Sequence, residues 1–284
     1  MQDPFLSTAV CRLGLAAMVM AAGLVPVQAE DASPWAADAY SQVRLIAGTN
    51  RARQPTLRAG LDIKLKPGWK TYWRYPGDSG VPPHFDFGAS RNVKAVDVLW
   101  PAPKRFADEG GQSIGYHDRV IMPLRVVPKD PAQPVMLDLT LNYAVCEKLC
   151  VPAEATARLG VGPAASAHDA ALAAAEARVP RPAGIGGAGA LAIRAVRRQG
   201  TDQRPRILVD VAAPKNVPVD LFAEGPTPDW ALPLPEPKGA AAPGLQQFSL
   251  ELDGLPAGAR PKGAELTLTL VAGTEAIEVK TRLD

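Results

Sequence analysis

The fold of this chain is constrained most strongly by a period-two alternation of apolar and polar residues in its first half. Leu61, Ile63 and Leu65 alternate with charged residues, and residues 135–143 repeat the pattern. Such alternation is typical of strands that bury one face and expose the other, as in an antiparallel sandwich. The chain also contains 29 prolines and 25 glycines among 284 residues, which favours a loop-rich β protein over a helical one.

Further β-rich segments extend this prediction over most of the chain. Those in the first half are residues 43–47, 57–65, 93–99, 120–126 and 135–143, and those in the second half are residues 191–196, 207–211, 217–222, 248–252, 265–271 and 276–282. Between the two groups, residues 164–179 are rich in alanine and predict a short helix with Ser166 as its N-cap. A linker rich in proline and glycine follows, up to Gly189.

The predicted fold class is therefore all-β, with two immunoglobulin-like β-sandwich domains joined by a short helix and a Gly/Pro linker. We place the first domain at residues 35–162, the helix and linker at residues 163–189, and the second domain at residues 190–284. The second domain has no cysteine, and its sequence indicates no chemistry of its own. We expect it to act as a spacer or as a surface that docks a partner.

The N-terminus predicts export. Residues 1–29 contain Arg12, an uncharged apolar run at 13–25, and the small residues Val27 and Ala29 at the positions expected for cleavage before Glu30. The run is shorter than the roughly 20 residues of a membrane span, so we expect a signal peptide and no membrane span after its cleavage. Disulfides can form in exported proteins. Lysine and arginine are scattered and matched by acids, which argues against nucleic acid as a partner.

Cys146 and Cys150 are the only cysteines outside the predicted signal peptide, which contains Cys11. Along one straight strand, residues four apart lie roughly 13 Å apart, too far for a disulfide. A bond therefore requires the chain to turn at residues 147–149, most simply in a tight hairpin with the cysteines facing each other. Closing so short a loop constrains the unfolded chain by only about 2 kcal/mol, which fits a bond that opens and closes better than a staple.

The residues around the cysteine pair leave three interpretations open: a redox-active pair, a structural disulfide, or a metal site. Lys148 would favour a thiolate, and Glu147 would oppose it. His84 and His117 could add ligands for a soft metal, but both have loop-like neighbours and are typical of isolated surface histidines. We predict neither a metal nor an organic cofactor.

Several segments of the chain, taken in order, resemble a known family. They are residues 68–80, the Trp-Pro-Ala-Pro sequence at 100–103, residues 115–123, and residues 139–154 with the cysteine pair. Together they resemble the N-terminal periplasmic domain of the DsbD family of transmembrane thiol–disulfide reductases. The likeness is greater to the ScsB-like branch, which is linked to suppression of copper sensitivity, and it covers roughly residues 40–160.

The resemblance implies a fold, a site and partners. The family domain is an immunoglobulin-like sandwich with its cysteine pair on adjacent strands. It takes electrons from a membrane-embedded thiol reductase and passes them to periplasmic proteins of thioredoxin fold by thiol–disulfide exchange. On this mapping Cys146 and Cys150 form the redox pair, Cys150 forms the mixed disulfide, and the chain works in the periplasm without a cofactor.

The resemblance also implies a cap over the cysteine pair, because the family covers it with a loop that carries an aromatic residue. The corresponding loop is residues 106–113, with Phe106 as the candidate cap and Asp108 and Glu109 nearby. The predicted cap and partner-binding set is completed by Tyr72, Trp73 and Tyr116.

Three features depart from the family pattern. The cysteines are closer in sequence than in the best-known reductase, Gly110 and Gly111 stand where a bulky cap is expected, and the chain has neither a membrane domain nor a thioredoxin-like domain. We therefore expect a separate membrane protein to supply the electrons.

The predicted function is that of a periplasmic thiol–disulfide interchange protein, an oxidoreductase of the protein-disulfide reductase type that relays reducing equivalents to or from partner proteins. One alternative is a copper-handling protein that uses the two cysteines with His117 or Met122. The other alternative is a binding module with a purely structural disulfide.

Overall fold

The structure is a computed structural model that describes residues 30–78, 80–108, 111–201 and 204–283. The predicted signal peptide and Glu109 lie outside the described residues. In the described part of the chain, no helix has the length and apolar character needed to span a membrane. The described fold is nearly all β, which confirms the predicted class.

An N-terminal sandwich of two sheets occupies the first half of the chain. Its strands are β1 (Ala36–Ala37), β2 (Ser41–Ala47), β3 (Leu57–Leu65), β4 (Lys70–Gly77), β5 (His84–Asp86), β6 (Val93–Val98), β7 (Lys104–Asp108), β8 (Gly111–His117), β9 (Arg119–Pro128), β10 (Val135–Cys146) and β11 (Cys150–Val161). One sheet has the order β1-β2-β3-β9-β6, and the other has the order β11-β10-β4-β8-β7, with β5 also paired to β10. Both sheets contribute to one buried apolar cluster, in which Leu61 and Leu139 are fully buried.

The predicted alternation holds along β10, where the leucines at 137, 139 and 141 are buried and the residues between them are partly exposed. Strand β3 shows one departure, because Asp62 is fully buried although the alternation predicts a solvated side chain. Arg119 donates to both carboxylate oxygens of Asp62 at 2.7 and 2.8 Å, and Arg44 donates at 3.2 Å. A buried charge requires such partners, and the two arginines supply them from the neighbouring strands.

The helix is shorter than the alanine-rich segment predicts. It is α1 (Asp169–Glu176), and His168 occupies its N-cap position without a side-chain hydrogen bond. The prediction of Ser166 as the N-cap is wrong, because its hydroxyl accepts from the N–H of His168, which lies before the helix, and not from an N–H of the first helical turn. The same hydroxyl donates to the Ala47 carbonyl at 2.7 Å and ties the segment before the helix to β2. Leu172 packs the helix onto β3, in the space that a Cβ at Gly60 would otherwise fill.

A C-terminal sandwich follows the helix. Its strands are β12 (Arg181–Ala183), β13 (Ala192–Thr201), β14 (Arg204–Ala212), β15 (Val219–Glu224), β16 (Glu236–Ala242), β17 (Leu245–Glu251), β18 (Glu265–Ala272) and β19 (Glu275–Arg282). The sheets have the orders β12-β19-β18-β15 and β13-β14-β17-β16 and share a second buried cluster. Strand β12 lies in the predicted linker. Phe222 of β15 belongs to the buried cluster of the N-terminal sandwich, so this cluster includes a residue from the other side of the predicted domain boundary. The predicted domain boundaries therefore stay predictions.

Candidate redox site

The cysteine pair closes the hairpin formed by β10 and β11. The two strands pair without interruption from Val135 opposite Val161 to Cys146 opposite Cys150, and residues 147–149 form the turn. The Cα atoms of the cysteines are 4.2 Å apart, and the sulfurs are joined in a disulfide. This is the tight hairpin that the spacing predicts, because directly opposed residues of an antiparallel pair bring their side chains together on one face.

The two cysteine residues differ in exposure to solvent. Cys146 is 2% exposed and forms a small buried cluster with Tyr72 and Ala144, apart from the main core. Cys150 is exposed at the start of β11. Leu149, which precedes it in the turn, is 74% exposed. A protein that approaches the hairpin therefore meets Cys150 before Cys146.

Tyr72 of β4 connects the two sulfurs. Its hydroxyl donates to Cys146 Sγ at 2.7 Å and lies 3.0 Å from Cys150 Sγ, while the side chain is 1% exposed. Burial, together with the charge of Asp108, raises the pKa of Tyr72 above its ordinary value. The phenol therefore keeps its proton at neutral pH and can donate it to a sulfur. A thiolate accepts such a bond more strongly than a disulfide sulfur does, because hydrogen bonds to charged acceptors are the stronger ones.

A charged pair lies beside the disulfide. Lys70 is the residue of β4 paired with Cys146, and its buried ammonium group forms an ion pair with Asp108 of β7. Burial opposes ionisation of Asp108, but the hydrogen bond and positive charge of Lys70 outweigh it, and the pKa of Asp108 lies below its ordinary value. Asp108 is therefore ionised and neutralises Lys70, so this lysine is not a free cation for a thiolate.

Phe106, the predicted cap, lies close to this pair. Its ring meets the ring of His117 edge to face, with centroids 4.4 Å apart, and the Lys70 ammonium nitrogen is 5.7 Å from its centroid. The sheet thus gathers Phe106, Asp108 and Lys70 next to the strand position that faces Cys146. The cap role of Phe106 stays a prediction.

The remaining predicted site residues fall into two groups. Glu147 and Lys148 are exposed in the hairpin turn, and a Cβ added at Gly68 would lie 3.2 Å from Glu147 Oε1, so Glu147 rests on the turn before β4. Trp73 and Tyr116 are buried in the main core, and the Tyr116 hydroxyl donates to the Pro101 carbonyl. Neither of these two aromatic residues offers a surface to a partner.

The structure does not bring the possible metal ligands together. Within the described residues, no three His, Cys, Asp or Glu side chains are grouped closely enough to hold a metal ion. His84 and His117 lie in strands β5 and β8 rather than in the predicted loops, and His117 Nδ1 is 3.0 Å from the Trp69 carbonyl oxygen. Met122 is buried in β9, in the opposite sheet from the cysteines.

The N-terminal half of the chain is an immunoglobulin-like sandwich with a disulfide across the mouth of one hairpin. Residues 42–160 match the family described as the N-terminal domain of the thiol:disulfide interchange protein DsbD. Residues 42–160 therefore form a DsbD-family N-terminal domain, and this membership together with the disulfide indicates thiol–disulfide interchange in general terms.

Solved structures support the fold. The chain is similar to the crystal structure of the N-terminal periplasmic domain of ScsB from Proteus mirabilis, with 19% identity, a TM-score of 0.67, and coverage of 89% of this chain and 98% of that one. A marsupial T cell receptor is also matched at 12% identity over 87% of this chain and 99% of that chain, but its TM-score of 0.20 is too low to support an inference. No curated protein sequence matches the chain.

Proposed function

We propose that this chain is a periplasmic thiol–disulfide interchange protein that passes reducing equivalents through Cys146 and Cys150. The observation that carries the proposal is the asymmetry of the two cysteines: Cys150 is an exposed residue, whereas Cys146 is buried and its sulfur accepts a hydrogen bond from the Tyr72 hydroxyl. An exchange protein needs one accessible sulfur to meet a partner and a second, protected sulfur to resolve the mixed disulfide. A purely structural bond needs neither property.

The proposed reaction transfers two electrons. In the reduced protein the Cys150 thiolate attacks a disulfide sulfur of the partner, a mixed disulfide forms, and the partner's other sulfur leaves as a thiolate. The Cys146 thiolate then attacks Cys150 Sγ, which releases the partner's second thiolate and restores the Cys146–Cys150 disulfide. The partner is reduced and this protein is oxidised. The same steps in reverse, with a reductant as the partner, return this protein to its reduced form.

The proposed partners are a membrane-embedded thiol reductase, which supplies electrons, and periplasmic proteins of thioredoxin fold, which receive them. Family membership of residues 42–160 and the likeness to a periplasmic domain support this assignment. Exposed apolar residues near the disulfide support a protein partner: Leu149 precedes Cys150, and Val81 follows Gly80, whose backbone lies against the Tyr72 ring. A protein partner that covers these residues would bury apolar surface, which is favourable.

Reduction of the disulfide should leave the protein folded. Because the bond closes a loop of only five residues, we expect its reduction to lower the free energy of unfolding by about 2 kcal/mol. Urea unfolding of the oxidised protein, the reduced protein and a variant with both cysteines replaced by serine measures this difference. The double variant is the control for loss of the bond without a reductant. Unfolding on reduction alone would instead support the structural interpretation of the disulfide.

A further inference from the structure

Strand β4 connects the cysteine pair to the C-terminal sandwich. Its first residues lie beside the pair, because Lys70 is paired with Cys146 and the Tyr72 hydroxyl contacts both sulfurs. Its next residues, Arg74 and Tyr75, contact the C-terminal sandwich. One short strand therefore spans the distance from the proposed redox site to the junction of the two sandwiches.

Residues 73–76 leave the regular ladder of the sheet. The pairing of β4 with β10 covers only Lys70 and Thr71, and the pairing with β8 is interrupted between Tyr72 and Gly77. A regular strand is fixed by backbone hydrogen bonds to its neighbours, and fewer of them hold this segment. Its position, and hence that of Tyr72 next to it, depends more on side-chain contacts.

Arg74 supplies the strongest of these contacts. Its guanidinium group donates two hydrogen bonds to Glu224, at 2.9 and 2.7 Å, and one to Glu278 at 2.5 Å. Glu224 ends β15 and Glu278 lies in β19, so both acceptors belong to the C-terminal sandwich. All three side chains are mostly buried, and a two-pronged arginine–carboxylate contact fixes geometry as well as adding energy.

The residues on either side of Arg74 add to the contact. The Tyr75 hydroxyl lies 2.7 Å from the Leu232 carbonyl oxygen, to which it donates, and 3.1 Å from that of Trp230. The Trp73 ring packs against Phe222, with ring centroids 5.8 Å apart. Three successive residues after Tyr72 are thus held by the C-terminal sandwich, on both faces of the strand.

We propose that the C-terminal sandwich is a brace that fixes strand β4 and thereby positions the Tyr72 hydroxyl at the two sulfurs. Arg74 is the main positioning residue, and Tyr75 assists it. A hydrogen bond weakens steeply when its donor moves or turns, so a loosened β4 would weaken the bond from Tyr72 to a thiolate. The inference rests on the proposed redox function and gives the second sandwich a role in it.

The test measures how fast the reduced protein reacts with oxidised glutathione at neutral pH, using the whole chain. We expect Arg74→Ala to slow the reaction about threefold, a part of the loss expected when the Tyr72 hydroxyl is removed. In a Tyr72→Phe background the same substitution should have no further effect, because it acts through that hydroxyl. Tyr75→Phe, which deletes only one hydroxyl, is a milder second variant. Arg197→Ala is the control, because it breaks an ion pair with Asp210 inside the C-terminal sandwich.

The possible results separate the brace from the redox function itself. The brace is overturned if folded Arg74→Ala and Tyr75→Phe react at the wild-type rate, or if Arg74→Ala slows the reaction equally with and without the Tyr72 hydroxyl. A wild-type protein that does not react with oxidised glutathione would contradict the proposed function instead. Thermal unfolding of each variant establishes that it is folded before its rate is compared.

Discussion

A Cys146→Ser variant should form a mixed disulfide with oxidised glutathione about a hundredfold faster than a Cys150→Ser variant. The reason is access: Cys150 is exposed on β11, whereas Cys146 is 2% exposed beneath Tyr72. Attack by Cys146 requires local opening of the hairpin end, and an opening that costs about 3 kcal/mol slows the reaction by this factor. Mass spectrometry of the glutathione adduct over time measures both rates.

The control for this experiment is the same pair of variants unfolded in urea. There the two thiols should react at similar rates, because the difference arises from the fold and not from neighbouring residues in the sequence. Equal rates in the folded variants, or a faster reaction at Cys146, would contradict the assignment of Cys150 as the attacking sulfur. The Cys146→Ser variant can then serve to trap partner proteins.

Replacement of Tyr72 by phenylalanine should raise the pKa of the Cys150 thiol in the Cys146→Ser background, because the thiolate loses a hydrogen-bond donor. A hydrogen bond to a charged acceptor contributes about 1.5–3 kcal/mol, and each pKa unit corresponds to about 1.4 kcal/mol. The substitution keeps the buried ring and removes only the hydroxyl that lies 3.0 Å from Cys150 Sγ. The pH dependence of alkylation by iodoacetamide gives the thiol pKa directly.

In the Tyr72→Phe variant at neutral pH, the rate of attack should fall by a smaller factor than the fraction of Cys150 that is ionised. A thiol of higher pKa is a stronger nucleophile once it is ionised, so the rate at neutral pH should drop only about three- to fifteenfold. Tyr143→Phe is the matched control: Tyr143 is also a buried tyrosine of this sheet, but its hydroxyl contacts Ser41 and Asp38. An unchanged pKa in Tyr72→Phe, or an equal rise in Tyr143→Phe, would show that the Tyr72 hydroxyl does not stabilise the thiolate.

The fold class and the hairpin that carries the cysteines could be predicted from sequence because their signals are local. The alternation along 135–143 gives the buried face of β10, and the spacing of Cys146 and Cys150 requires the turn between β10 and β11. The burial of Asp62 could not be predicted in this way. It depends on Arg44 and Arg119, which lie far from Asp62 in sequence and meet it only through strand pairing.

The central contact of the site could not be predicted for the same reason. Tyr72 belongs to the predicted cap and partner-binding set, but its hydroxyl reaches the sulfurs only because β4 pairs with the end of β10. Strands β4 and β8 were not among the predicted strands, since β4 is dominated by aromatic and charged residues. One sequence signal could have placed these residues together: if residues 70–74 form a strand, the side chains of Lys70, Tyr72 and Arg74 share one face of it.

The contacts that form the brace could not be predicted from the sequence either. Glu224 and Glu278 are separated from Arg74 by 150 and 204 residues, and nothing in the sequence around them indicates a common partner. The prediction that the second domain is a spacer or docking surface rested on its lack of cysteines. The structure adds that the Glu224 side chain and the Leu232 backbone carbonyl of this sandwich bind Arg74 and Tyr75 of the strand that carries Tyr72.

The most direct test of the account is the reduction potential of the Cys146–Cys150 pair, measured by equilibration of the whole chain in glutathione buffers of defined ratio. A redox-active pair should have a potential between about −180 and −270 mV, within the span of working oxidoreductases, and the protein should stay folded in both states. A potential below about −300 mV, accompanied by unfolding on reduction, would contradict the account and show that the disulfide is structural.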